Sequence, residues 1–117
     1  HGVPYWDFDA DKIPNEPLDV SAAAVAASGL LILCQLDTSL QSYMLPWVDQ
    51  TLATLGQNEF ETEVPPFLLD HSVGSIPGDF EVDVPIIYAD YYYIEALKRR
   101  VDLKDGDTIN RLVLQAQ

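Results

Sequence analysis

An all-α protein, built from helical hairpins joined by long loops, is the fold class that this 117-residue sequence predicts. Three stretches predict it. Residues 22–36 are apolar almost all the way round. Leu40, Tyr43, Met44, Trp47, Val48, Thr51, Leu52 and Leu55 recur at three- and four-residue steps. Residues 86–100 are apolar on most sides. The second pattern is that of a helix with one buried face, and the first and third are those of helices covered on every side. One amphipathic partner cannot cover two such helices. The chain therefore reads as a piece of a larger layered helical architecture, with further layers supplied by more of the same protein or by a partner chain.

The elements follow in order. Residues 1–18 hold Pro4, Pro14 and Pro17 among Asp7, Asp9, Asp11 and Glu16, too many prolines for a long helix. Within them "PYWDFDA" sets two carboxylates one residue apart beside Tyr5, Trp6 and Phe8. These acids cap loops and helix ends, or the segment lines the lip of a pocket with Trp6 against a ligand. Asp19 or Ser21 can accept from the free amides of the first helix's opening turn, and Gly29 points to a close helix–helix contact. The cluster Asp37-Thr38-Ser39 opens the second helix, Pro46 is expected to bend it, and Gly56 is a suitable stop. Residues 57–85 are polar and carry prolines at 65, 66, 77 and 85, which reads as an extended stretch followed by a loop. Asp83 or Val84 can cap the third helix, with Pro85 in its first turn and Lys98, Arg99 and Arg100 at its cation-favouring end. Residues 102–117 read as a polar turn and then a short apolar piece, strand or helical turn.

Composition narrows the function. Nineteen acids against six bases give a net charge of −13. A nucleic-acid partner needs a basic face, and an anionic membrane surface repels such a chain, so neither is expected. A small anion is not excluded, since one or two local donors can hold a carboxylate. The single cysteine, Cys34, cannot form an internal disulfide and reads as a small core residue. Residues 22–34 are too short a run to span a bilayer. His1 and His71 lie far apart without a cysteine cluster, so no metal and no cofactor are expected. Neither Ser72 nor Ser75 sits in a G-x-S-x-G elbow, which argues against a serine hydrolase. The chain begins with His1, and its one methionine is Met44, so it is expected to be processed, truncated or part of something longer.

Four segments appear in a specific order: "PYWDFDA", "DVSAAAVAASGLLIL", "DHSVGSIP" and "IIYADYYYIEALKR". Together, from Gly2 to Arg99, they resemble the C-terminal part of the unsaturated glucuronyl hydrolases of glycoside hydrolase family 88. Leu18, Ser72 and Ala89 depart from the residues common at those places. The resemblance implies an (α/α)6 barrel, of which residues 1–117 would be the C-terminal portion of a single domain. It implies a substrate, an oligosaccharide carrying a 4,5-unsaturated uronic acid at its non-reducing end. It also implies a reaction: an aspartic acid protonates the C4=C5 vinyl ether, water adds at C5, and the hemiketal opens with loss of the glycosidic bond. The family's catalytic aspartates lie upstream of the matching region, so no catalytic residue is assigned here and the chain alone is expected to be inactive. The family loop at His71, Ser72 and Ser75 reaches towards the neighbouring sugar, and with Trp6 these are the candidate substrate-binding residues. A cytoplasmic location is likewise implied. Two alternatives stand beside this reading: a non-catalytic helical assembly or binding module, and a relative of the unsaturated rhamnogalacturonyl hydrolases.

Overall fold

A computed structural model of the protein describes residues 2–104. Three helices dominate it: α1 (Val20–Leu36), α2 (Gln41–Leu55) and α3 (Ile87–Lys104). Asp19 is the N-cap of α1, its Oδ1 accepting from the Ser21 amide at 3.0 Å and the Ser21 hydroxyl at 2.6 Å. A turn of 3-10 helix, Thr38–Leu40, leads into α2, and Asp37 accepts from the Ser39 amide and hydroxyl. That bonding holds the Asp37 carboxyl below its ordinary range. Pro46 lies inside α2, and Gly56 ends it.

The central helix is α1. It packs most extensively on α3 and less on α2, while α2 and α3 barely meet. Small residues make this possible: Ala27 of α1 and Ala96 of α3 share a cluster with Leu31, Val48 and Leu52. A second cluster joins Val20, Ala23 and Ala24 to Val3, Leu55, Phe60 and Leu69. Thus the buried stripe of α1 carries two apolar clusters one after the other, with Val20, Ala23 and Ala24 in one and Ala27 and Leu31 in the next.

Four sequence expectations need correction. The fold is mostly helical rather than all-α, because residues 72–84 form an antiparallel hairpin, β1 (Ser72–Ser75) and β2 (Phe80–Val84). The turn residues "IPGD" flanked by alternating valines carry that hairpin signal. A side chain at Gly74 would collide with Glu81 across the hairpin, within 2.8 Å of its Cβ. Second, α1 is not covered all round, and Val25, Gly29, Leu33 and Leu36 are exposed. A Cβ at Gly29 would meet nothing within 4 Å, so no close contact explains that glycine in this chain. Third, Tyr43 of α2 is 82% exposed, and Leu45 packs in its place. Fourth, α3 continues through the expected turn at 102–104, so Lys98, Arg99 and Arg100 form ion pairs rather than sitting at a helix terminus. The apolar piece expected near the C-terminus lies outside the described residues.

The N-terminal segment lies against the body of the protein. The Trp6 amide donates to Pro17 and the Asp19 amide to Pro4, so residues 4–6 run antiparallel to 17–19. The loop between them closes on its own acids. Asp7 Oδ1 accepts from the Asp9 amide, and Glu16 accepts from both the Lys12 amide and the Trp6 indole.

Candidate functional site

The hairpin base and the chain entering α1 frame a cleft of about 350 Å³, lined by Pro17, Leu18, Glu59, Phe60, His71 and Asp83. His71 is one of these lining residues, just before β1, with a left-handed backbone (φ 65°). Its amide donates to Asp70 Oδ1 at 2.8 Å. Its carbonyl accepts from the Val20 amide at 3.0 Å, satisfying a free donor at the start of α1. The ring meets Phe60 edge-on at 6.3 Å and pairs through Nδ1 with Asp83 Oδ1 at 2.7 Å. The bond to Asp83 raises the His71 pKa above the usual 6.5, burial opposes it, and Asp70 adds to the rise.

The other sequence candidates are not among the residues that line this cleft. Ser72 is fully buried, and its Oγ has no hydrogen-bond partner among the described residues. A ligand could reach that hydroxyl only if β1 shifted. Ser75 lies at the far end of β1, half-buried, its Oγ accepting from the Gly78 amide at 3.0 Å, with its own proton left to donate. Trp6 is half-buried, held by Glu16 at 2.9 Å, and is not among the cleft's lining residues. The structure thus places Ser72 and Ser75 on β1, His71 immediately before it, and Trp6 apart on the N-terminal loop. Asp83 and Phe60 were missed by sequence reasoning. The sequence offers Asp83 or Val84 as a helix cap, and only the hairpin's register brings Asp83 to His71.

Asp90 holds the floor of the region. It is 4% exposed, and its two oxygens accept from the Leu68 and Leu69 amides at 2.9 and 3.0 Å. It is therefore a structural anchor for the segment that delivers His71. Tyr92 and Tyr93 pack against the cores, whereas Tyr91 is 60% exposed. Among the described residues no three His, Cys, Asp or Glu side chains gather to hold a metal ion.

No family model matches the chain. An unsaturated glucuronyl hydrolase of Formosa agariphila is 44% identical over 105 residues, covering 87% of the chain and 26% of that protein. A second, from a Bacillus species, is 34% identical over 104 residues, covering 84% and 27%. The relatives of this chain are unsaturated glucuronyl hydrolases. The crystal structure of such a hydrolase specific for heparin superposes with a TM-score of 0.80 at 42% identity, over 90% of this chain and 29% of that one. The structure of the Bacillus hydrolase, described as responsible for degradation of glycosaminoglycan, gives 0.69 at 32% identity, over 84% of this chain and 27% of its own. The chain therefore spans about a quarter of the length of the hydrolases it matches. Among the described residues no helix is long and apolar enough to cross a membrane.

Proposed function

We propose that this chain is the C-terminal portion of a family 88 unsaturated glucuronyl hydrolase, an enzyme that hydrates the C4=C5 bond of a 4,5-unsaturated uronic acid. The observation that carries this reading is the agreement of sequence and backbone over nearly the whole chain, 42% identity with a TM-score of 0.80 to a solved hydrolase. The substrate is a lyase-generated oligosaccharide with the unsaturated sugar at its non-reducing end, and heparin or another glycosaminoglycan is the class its relatives' descriptions favour. In this reading the acid and base come from residues outside this chain. His71, Ser72, Ser75 and Trp6 belong to the substrate side of the site, and a cytoplasmic place of action goes with it.

The same reading makes α1 and α2 one hairpin of an (α/α)6 barrel and α3 a helix of the next. The uncovered apolar residues support it. Val25, Leu33 and Leu36 on α1, and Ile87, Tyr91, Ile94 and Val101 on α3, are exposed in this chain, and apolar surface of this extent is normally covered.

The test is an assay on the intact protein with an unsaturated glycosaminoglycan disaccharide. Loss of the conjugated C4=C5 absorbance together with release of the neighbouring sugar is the expected result. Release of the sugar with the absorbance intact would mean ordinary displacement at the anomeric carbon and would overturn the proposal.

A further inference from the structure

We propose that the His71–Asp83 pair is a clasp that fixes the base of the hairpin, and that Asp83 is a positioning residue for the substrate-facing loop. The proposal rests on the hydrolase reading for what the loop faces, but the clasp itself stands on geometry.

The hairpin is weakly anchored on its second strand. Phe80, Glu81, Val82 and Asp83 are exposed, and Val84 is half-buried. At its base the ladder is irregular: Ser72 pairs with Val84 and Val73 with Val82, which leaves Asp83 as the extra residue of a bulge. Asp83 has a left-handed backbone (φ 55°). Such a backbone is costly for a residue other than glycine, and a bulge commonly serves to re-aim a side chain. Here it aims the carboxylate at His71 Nδ1.

The other half of the clasp is immobilised. The His71 amide and carbonyl are both bonded, the second to the start of α1, and its ring stands against Phe60. Asp19, the α1 cap, also accepts from the Val73 amide at 3.2 Å, so the first strand is tied to the same helix end. A bond from His71 to Asp83 therefore transmits the position of α1 and the 58–60 turn to β2. The residues that would meet a neighbouring sugar lie between these anchors.

The clasp depends on pH. The charged groups acting on the ring are the carboxylates of Asp83 from β2 and Asp70 from the preceding segment, and the backbone of Glu59 in the 58–60 turn adds a hydrogen bond that also favours the protonated ring. A protonated ring is held ionically. A neutral ring with its proton on Nδ1 still donates, but without the charge. Because pairing raises the pKa, the ionic part is fully present below the ordinary histidine value and is lost as pH rises through the raised one.

The experiment uses the intact protein. NMR titration of the His71 ring is combined with amide exchange of residues 73–84, corrected for intrinsic rate, on both sides of the His71 pKa. Exchange is expected to rise about two- to fivefold across that pKa, the scale of an exposed ion pair. Asp83→Asn should lower the His71 pKa and abolish the step, and His71→Gln should abolish the step while keeping the hairpin. Asp83→Asn should also raise KM for the unsaturated disaccharide with kcat little changed. An unaltered His71 pKa and an unaltered exchange step in Asp83→Asn would overturn the clasp. A lost step with KM unchanged would overturn the positioning role. The titration and exchange need no substrate, so a protein with the clasp but no turnover would count against the hydrolase reading alone.

Discussion

Asp90 shows how a single residue organises the region. Its carboxylate is buried, and both oxygens are occupied by the Leu68 and Leu69 amides. Asp90→Asn turns one acceptor into a donor facing an amide, and Asp90→Ala leaves two amides unpaired. Either should lower stability by about 2 kcal/mol, the scale of hydrogen bonds to a charged group, read as a fall in urea midpoint at unchanged slope. Asp19 carries two duties, the α1 cap and the Val73 amide. Asp19→Ala should cost about 1–2 kcal/mol and should also raise amide exchange at Val73. The sequence shows that an aspartate precedes α1 and that Asp90 lies in the first turns of α3. It does not show the Leu68 and Leu69 amides as partners of Asp90 or the Val73 amide as a partner of Asp19, because those lie some twenty or fifty residues away. The same limit applies to Asp83, whose pairing with His71 exists only once the hairpin register is set.

At the scale of elements, periodicity located all three helices to within a few residues, since burial of a helical face needs apolar residues at fixed spacing. It failed at the hairpin, where four left-handed or irregular positions (His71, Asp79, Glu81 and Asp83) break the alternation that marks a strand. It failed also at the end of α3, where basic residues looked terminal. Lys98 pairs with Asp102 within α3, and the two arginines serve instead to join helices. Arg100 pairs with Asp49 of α2, and Arg99 donates to the Ser28 hydroxyl at 2.6 Å, which in turn donates to Glu95. The Ser28 hydroxyl lowers the Glu95 pKa, aided by Tyr91 and Arg99 and opposed by burial. This contribution is present above the ordinary glutamate range and is lost as pH falls through the lowered value. The wild type should therefore lose stability in that acid window, and Glu95→Gln should lose less there, as measured by urea midpoints across an acid titration. Gly29 gives a second test. With open space around it, Gly29→Ala should stabilise the 117-residue chain by about 0.5–1 kcal/mol. If α1 is closely covered in the intact protein, the same change should instead lower its melting temperature.

At the scale of the whole molecule, the proposed barrel would account for α1 and α3 being over-hydrophobic for the chain that carries them. Residues such as Leu36, Ile87 and Ile94 face outward here, and the relatives are more than three times as long, this chain covering 26–27% of them. Produced alone, the 117-residue chain should self-associate in sedimentation, and Ile94→Lys should reduce that association. The most direct measurement is the rate of C4=C5 absorbance loss on an unsaturated glycosaminoglycan disaccharide, run for the 117-residue chain and for the intact protein side by side. Turnover by the intact protein and none by the chain alone is the predicted result. Turnover by the chain alone would contradict the assignment of its acid and base to residues outside it, and no turnover by the intact protein would contradict the hydrolase reading altogether.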